Sequence, residues 1–268
     1  MRLVAWNIEN APPRLATLPA IVEAFGSPDV VCLQELRIRR QDIDVVAALE
    51  SALPGYRCHH SLPRDPRNVA FRGGRMYGVA TFARGRWRGE VPDWDREGRV
   101  VVVRRRGLSI VNVYAVNGTS KPHYDETGTI RGDRHRFKCW FQARVMDLGR
   151  DLRRHGSVVM AGDWNVSRSA QDAYPRLRSE APHAQARAEL NARIVEDGFV
   201  DIWRERHPSA RAYTWFNRRS RGLDAARVDY VLVSADLAAG VRTSEILDPL
   251  PFSDHAPITV DIAPTSNV

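Results

Sequence analysis

Short apolar runs rich in β-branched residues punctuate this chain at 2–6, 29–33, 76–82, 99–105, 108–114, 157–161, 227–233 and 257–262. Runs of that length read as buried strands rather than helices. How they end constrains the fold most. In "VVMAGDWNV", residues 158–166, four apolar residues and a glycine run straight into an acid, a tryptophan and an amide. The same ending recurs: "LVAWN" delivers Asn7, "VVCLQE" delivers Glu35, and "IVNVYAVNG" delivers Tyr114 and Asn117. "RVDYVLV" opens on Asp229, and "PFSDHAPI" presents Asp254 and His255 just ahead of a strand. Taken singly, Asp163 and Asn165 read as a turn or helix cap, and Asp254-His255 as a plain turn. Together they predict strand ends converging on one cleft, held by rigid elements.

Between the strands, Phe137, Phe141, Val145, Leu148 and Leu152 recur at spacings of three and four, which predicts a helix over 136–152 with Gly156 as its stop. A second helix is predicted over 186–197. Between 76 and 114 strands follow one another with no helix between them, so the sheets are mixed rather than a regular βαβ repeat. There is no internal repeat or long linker. The expectation is one domain over 1–264, followed by a short tail, 265–268.

A chain of 268 residues with 43% hydrophobic and 27% charged residues can bury a large core. No apolar run approaches the roughly 20 residues of a membrane span, so no membrane partner is expected. The strand-like "RLVAWN" starts at Arg2, which is read as leaving no room for a secretory leader. Cys32, Cys58 and Cys139 form no CxxC pair, which favours a reducing compartment and argues against structural zinc. A cytoplasmic protein is expected. The net charge is +8, and between Ser61 and Arg106 twelve arginines stand against five acids. Such concentrated basicity suits a polyanion or, more plainly, a solvated basic face.

Glu35, Asp163, Asp229 and Asp254, with the amides, supply hard oxygen ligands suited to Mg²⁺ or Mn²⁺. His255 has no partner at zinc-ligand spacing. An oxygen-ligated cation beside one histidine and a basic surface fits phosphodiester hydrolysis: the cation neutralises phosphate, a carboxylate activates water, and donors stabilise the transition state.

In this order and spacing, "WN", "LQE", "YAVNG", "GDWN", "RVDYVL" and "SDHAPI" resemble the endonuclease/exonuclease/phosphatase superfamily. "DREGR" at 95–99, "RFKCWFQAR" and "GFVDIWRERHPSARAYTW" at 198–215 resemble its exonuclease III-type apurinic/apyrimidinic (AP) endonucleases. The resemblance runs from Leu3 to about Ile262. It implies a DNase I-like α/β fold: a four-layer sandwich, two mixed β-sheets packed face to face with helices outside. It implies a Mg²⁺-dependent DNA repair phosphodiesterase, with Mn²⁺ as the substitute ion, cleaving 5′ to abasic sites and carrying 3′–5′ exonuclease and 3′-end-cleaning activity. The implied partner is double-stranded DNA, bound by a monomer with no obligate protein partner. Glu35 is the implied principal metal ligand, with Asn7, Asp254, Asp163 and Asn165 close by. Asp163 orients or deprotonates water, Asn165 holds it, and His255, oriented by Asp229, contacts the scissile phosphate. Tyr114 and Asn117 bind phosphate oxygens, Tyr114 also serving the leaving group. Arg99, Arg227, Trp215 and Val228 complete the implied substrate-binding set.

Three departures qualify the resemblance. Glu9, in "WNIEN", occupies the place of an extra ligand. The loop after Asn117, reaching to 136, is long. Ala226 stands where relatives often place a tryptophan that walls the pocket for a base-less sugar, which motivates a second reading: a phosphodiesterase or phosphatase specialised for DNA 3′ ends, RNA or nucleotides. A third reading is a basic binding module with a vestigial centre; nothing missing from the set supports it.

Overall fold

Val158 to Ala161 shows how the apolar runs are used. The side chains of Val158 and Met160 join one buried cluster, and those of Val159 and Ala161 join another. Alternate residues of a strand face opposite sides of its sheet, so this strand is covered on both faces and reads as continuously apolar. The computed structural model describes residues 1–9, 17–39, 44–64, 75–125, 127–221 and 223–263. The tail 265–268, residue 264 and part of the basic stretch, 65–74, lie outside the described residues.

Among the described residues, the first sheet contains β1 (Arg2–Asn7), β2 (Val30–Arg39), β3 (Tyr56–Ser61) and β4 (Arg75–Arg84). The second contains β5 (Arg88–Glu90), β6 (Val100–Arg105) and β7 (Leu108–Tyr114). A separate hairpin, β8 (Pro122–Tyr124) and β9 (Ile130–Asp133), precedes β10 (Ser157–Asp163) of the second sheet. The remaining strands are β11 (Ala173–Tyr174), β12 (Phe199–Asp201), β13 (Trp215–Phe216), β14 (Ala225–Ala226), β15 (Asp229–Ser234), β16 (Val241–Ile246) and β17 (Ile258–Ile262). The first sheet runs β16-β17-β1-β2-β4-β3 and the second β12-β15-β10-β7-β6-β5, while β11, β14 and β13 form a small sheet of their own. In each large sheet the central pair, β1/β2 and β7/β10, is parallel and its neighbours are antiparallel.

The two sheets face each other across Leu3, Ala5, Val30 and Cys32 on one side and Val103, Ile110, Val159 and Val231 on the other. Behind the first sheet lie α1 (Leu18–Ala24) and α2 (Asp44–Ser51), packed on Val31, Leu33 and Phe82. Behind the second lie α3 (Arg134–Arg153) and α4 (Ala181–Glu196), whose Phe141, Val145, Leu190 and Ile194 cover Val100, Val113 and Met160. The result is the four-layer sandwich expected above.

The local differences have physical causes. α3 starts two residues earlier than the apolar stripe because Asp133 caps it, accepting from Arg136 N–H. α4 starts at Ala181, with Pro182 in its first turn. Gly156 does not stop α3, which ends at Arg153; its φ of 147° brings the chain against Gly107, whose carbonyl a Cβ would strike. β3 and β16 are edge strands with half-polar sequences, "YRCHHS" and "VRTSEI", so the apolar signal passes over them.

Candidate active site

The parallel pairs set the rim. Asn7 lies opposite Gln34 on the first sheet, and Tyr114 opposite Asp163 on the second. β15 runs antiparallel to β10 and begins at Asp229, opposite Asp163. The loop ahead of β17 is pinned to β1: Ser253 Oγ donates to Asn7 O at 2.6 Å, His255 N donates to Ser253 Oγ at 3.0 Å, and the Trp6 indole donates to His255 O at 3.0 Å.

Glu35 reaches this rim through a defect in its strand. β2 pairs Leu33 with Ala80 and Leu36 with Gly78, leaving two residues on β2 against one on β4. That bulge, with Glu35 at φ 57°, re-aims a side chain that regular alternation would not deliver. Asn165 is also left-handed, at φ 54°, and each such residue costs about 1–3 kcal/mol. The hydrogen bonds of the rim hold these conformations in place.

Asn7 is the hub. Its buried Nδ2 lies 3.2 Å from Glu35 Oε2, 3.1 Å from Asp163 Oδ2 and 3.4 Å from His255 Nε2. Asp163 accepts from Asn165 N at 2.8 Å and Asn165 Nδ2 at 3.1 Å, and Asn165 Nδ2 also donates to Ala115 O at 2.9 Å. Burial first, and then the Asp229 carboxylate, push Asp163 up to about 7. On His255 burial works downward, but Asp229, 2.8 Å from Nδ1, and then Asp163 and Asp254 outweigh it and raise the ring to about 10. An imidazolium of that kind donates through Nδ1 to Asp229; its Nε2–H makes no bond with the Asn7 amide nitrogen, since both are donors, and His255 lines the cavity.

Asp163, Asp229 and His255 place ligand-type atoms within 4.8 Å of one another, a cluster able to hold a metal ion. The protonated ring is a poor part of such a set, since it repels a cation. Glu35 and Asp163, both within reach of the Asn7 amide nitrogen, form the better donor pair, and their oxygens suit a hard divalent ion. The electrostatics fit as well: Glu35, Asp163, Asp229 and Asp254 outnumber the single imidazolium, and Asp229 Oδ1 has no hydrogen-bond partner among the described residues.

A cavity of about 330 Å³ opens over this floor. Of the residues singled out from sequence, Glu35, Tyr114, Asn117, Asp163, Asn165, Trp215, Val228, Asp254 and His255 line it. Asn7 lies beneath them and Asp229 behind His255. The Trp215 indole donates to Asp254 Oδ2 at 3.0 Å. Ala226, also in the wall, pairs with Trp215 across β13/β14. Glu9 turns toward Arg218, 3.0 Å away.

Two expectations are corrected. Arg99 and Arg227 do not face the cleft. Arg99 is buried, with Nε on Glu97 Oε2 at 2.7 Å and Nη1 on the carbonyls of Tyr114 and Ala115 at 3.0 and 3.3 Å. Its guanidinium also lies 4.7 Å from the Tyr114 ring centroid, so it supports that tyrosine from behind. Arg227 spends its donors on Asp172 at 2.7 Å and on both oxygens of Asp201 at 3.0 and 2.8 Å. Buried charges persist when paired in this way, and at 1% exposure Arg227 is out of a substrate's reach.

The opposite wall went unread in the sequence. Lys138, Arg176, Arg178, His183 and Arg187 line the same cavity. Lys138 donates to Asn165 O at 2.7 Å, and burial lowers it to about 8 against the pull of Asp163. The signal was available: Lys138 is one of only two lysines, and it sits three and seven residues before Phe141 and Val145 on an apolar stripe. Burial, then Lys138 and Arg178, hold His183 down at about 4.

Comparison with known proteins accords with this geometry. The profile of the endonuclease/exonuclease/phosphatase family matches residues 4–255. An exodeoxyribonuclease of Bacillus subtilis is 25% identical over 98% of this chain and 99% of its own. The DNA repair nuclease APEX1 of Danio rerio is 27% identical over 98% of this chain and 82% of its own. A 3′ phosphatase from Neisseria, solved bound to a product DNA hairpin, superposes with a TM-score of 0.77 at 26% identity, covering 98% of this chain and 99% of that one. Among the described residues no helix is long and apolar enough to cross a membrane.

Proposed function

The chain belongs to the endonuclease/exonuclease/phosphatase family, and on that premise we propose that its cleft is the active site of a Mg²⁺-dependent DNA repair nuclease. It is a phosphodiester-cleaving enzyme of the exodeoxyribonuclease and AP endonuclease type. It incises duplex DNA 5′ to an abasic site and trims or cleans 3′ ends. The observation that carries this reading is the hydrogen-bonded group of Asn7, Glu35 and Asp163 beside the Asp229–His255 pair, on the floor of one open cavity.

In the reaction, Asp163 takes a proton from the attacking water; a carboxylate near 7 suits that task at neutral pH. Asn165 and Asn7 hold the carboxylate and fix the line of attack. The new P–O bond forms as the bond to the 3′-oxygen breaks, and charge accumulating on the phosphate is met by His255 Nε2–H. Tyr114 and Asn117 bind the phosphate oxygens, and the Tyr114 hydroxyl supplies the leaving oxygen with its proton. Glu35, Asn7 and Asp163 would hold the cation, with Asp254 and Asn165 close by, and it supplies charge neutralisation at the phosphate when bound. Trp215 and Val228 provide the apolar contact for the sugar. The enzyme acts as a cytoplasmic monomer, a reading supported by three free cysteines and by the absence of any need for a second chain in the rim.

Ala226 favours a second reading, in which the open wall admits 3′ ends and abasic-site incision is minor. The two are separated with a labelled duplex carrying one abasic-site analogue and a nicked intact duplex, each with Mg²⁺ or EDTA. Incision of the first supports the endonuclease. Trimming of the nicked duplex alone supports the 3′-end enzyme. No Mg²⁺-dependent cleavage of either sinks both.

A further inference from the structure

The long segment after Asn117 builds a second groove, outside the catalytic cavity. β8 and β9 pack on the start of α3, and a cavity of about 300 Å³ lies between them, lined by His123, Arg131, Arg136, Phe137 and Trp140. Its wall is a column of flat rings. His123 stacks on Phe137 with centroids 3.7 Å apart and planes at 13°; Phe137 stacks on Trp140 at 5.4 Å and 19°. Trp140 ends the column and is 44% exposed, its edge set against Trp94.

Three arginines flank the column, one of them paired with an acid. Arg136, Trp140 and Arg144 fall at i, i+4 and i+8 of α3, so they form one exposed stripe with the ring between two guanidiniums. Arg131 faces them from β9; its Nε is held by Asp125 Oδ2 at 2.6 Å, and Asp125 Oδ1 also accepts from the backbone of Thr127 and Thr129, both at 2.9 Å, which fixes the hairpin turn. Flat rings flanked by arginines match the two parts of an unpaired nucleotide: the base stacks, and the phosphate takes bidentate guanidinium contacts.

The groove is also wired to the cleft. His123 lies 3.3 Å from the Arg134 guanidinium, Arg134 pairs with Glu97 at 2.9 Å, Glu97 pairs with Arg99, and Arg99 holds the Tyr114 carbonyl. Asn117 lines the catalytic cavity, and the hairpin begins five residues later at Pro122.

We propose that this hairpin–α3 groove binds an unpaired DNA strand by stacking its bases on the His123–Phe137–Trp140 column, so that the enzyme engages ends with single-stranded overhangs. The inference rests on the nuclease reading above for its substrate but not for its test. Fluorescence anisotropy is measured in EDTA with a labelled oligo-dT strand, a duplex with a 3′ overhang and a blunt duplex, for wild type, Trp140→Ala, Trp140→Phe and Arg136→Ser. Stacking contributes enough that Trp140→Ala should weaken the oligo-dT and overhang probes about tenfold or more while blunt duplex binding is unchanged. Trp140→Phe should recover most of the loss. Arg136→Ser, at an exposed position, should weaken the same two probes and leave blunt duplex binding unchanged. Equal weakening of blunt and overhang duplex, no change with either Trp140→Ala or Arg136→Ser, or tighter binding of an oligo-U ribonucleotide than of oligo-dT overturns the proposal. Failure of wild type to cleave any DNA with Mg²⁺ would sink the nuclease reading separately, leaving the anisotropy result to stand.

Discussion

The floor and the far wall of the catalytic cavity are built by opposite methods. The floor hangs on strand ends, is largely buried, and is tied by hydrogen bonds that hold Glu35 and Asn165 in left-handed conformations. The far wall, with Arg176, Arg178, His183 and Arg187, comes from the segment leading into α4 and from its first turns; the first two are exposed and the others part-exposed. The floor carries an excess of carboxylates, the wall an excess of cations. The difference teaches where chemistry and grip reside: a reacting group must be held to a fraction of an ångström, whereas a phosphate-gripping cation works from a flexible stem.

The largest test removes the floor's base. Asp163→Asn should lower turnover by about 10²–10⁴-fold, the usual worth of a positioned base, while affinity for an uncleaved duplex is kept. Matching losses in both quantities would mean the floor also grips. Asp229→Asn comes next. Without its carboxylate His255 loses the main support of its charge, and we expect a fall in kcat of about 10²-fold or more, as for a removed oxyanion donor, with little change in KM. A rise in KM alone would move His255 from chemistry to binding.

On the wall, Arg178→Ser and Arg187→Ser should each weaken duplex binding modestly and reduce the salt slope by about one, with kcat retained. An unchanged slope would show that these arginines meet solvent rather than phosphate. The smallest effect belongs to His183. Its folded value, about 4, lies below its ordinary 6.5, so the unfolded chain binds the extra proton between those values. Stability is therefore complete above about 6.5 and declines as pH falls toward 4. The ring is only partly buried, so screening by water keeps this slope shallow. His183→Gln should flatten the melting temperature over that window, and an unchanged slope would place the acid sensitivity elsewhere.

Much of the architecture was legible because its strands are covered on both faces. A run such as Val158–Ala161 has no polar face to confuse the reading, and the polar residue that ends it stands out. The edge strands β3 and β16 lacked that contrast. At the site, chain position identified which groups stand at strand ends, and the structure places seven of them around one cavity, where Trp215 and Val228, known only through the resemblance, join them. Orientation was not legible. Arg99 and Arg227 sit beside the right motifs but turn inward, Arg99 to Glu97 of its own motif and to the Tyr114 carbonyl, Arg227 to Asp172 and Asp201 on other elements, which no local spacing reveals. Glu35 owes its aim to a bulge defined by its partner strand. The basic wall is assembled from α3 and the segment before α4, some forty residues apart, and reads as ordinary surface charge until the fold joins them.

The Gln34–Asn112 contact behind the floor has a mechanical meaning. Gln34 Nε2 donates to Asn112 Oδ1 at 2.7 Å, and Asn112 Nδ2 reaches back to Ala80 O at 2.9 Å, so one pair of amides bridges the two sheets. Asn7 and Glu35 ride on the first sheet, Asp163 and Asp229 on the second. The width of the catalytic floor is thus the gap between two leaves of a book, with this bridge as a stitch in the spine. A cation gripped by Glu35 and Asp163 would fasten the open edge of the same pages, making occupancy of the site and cohesion of the fold two readings of one gauge.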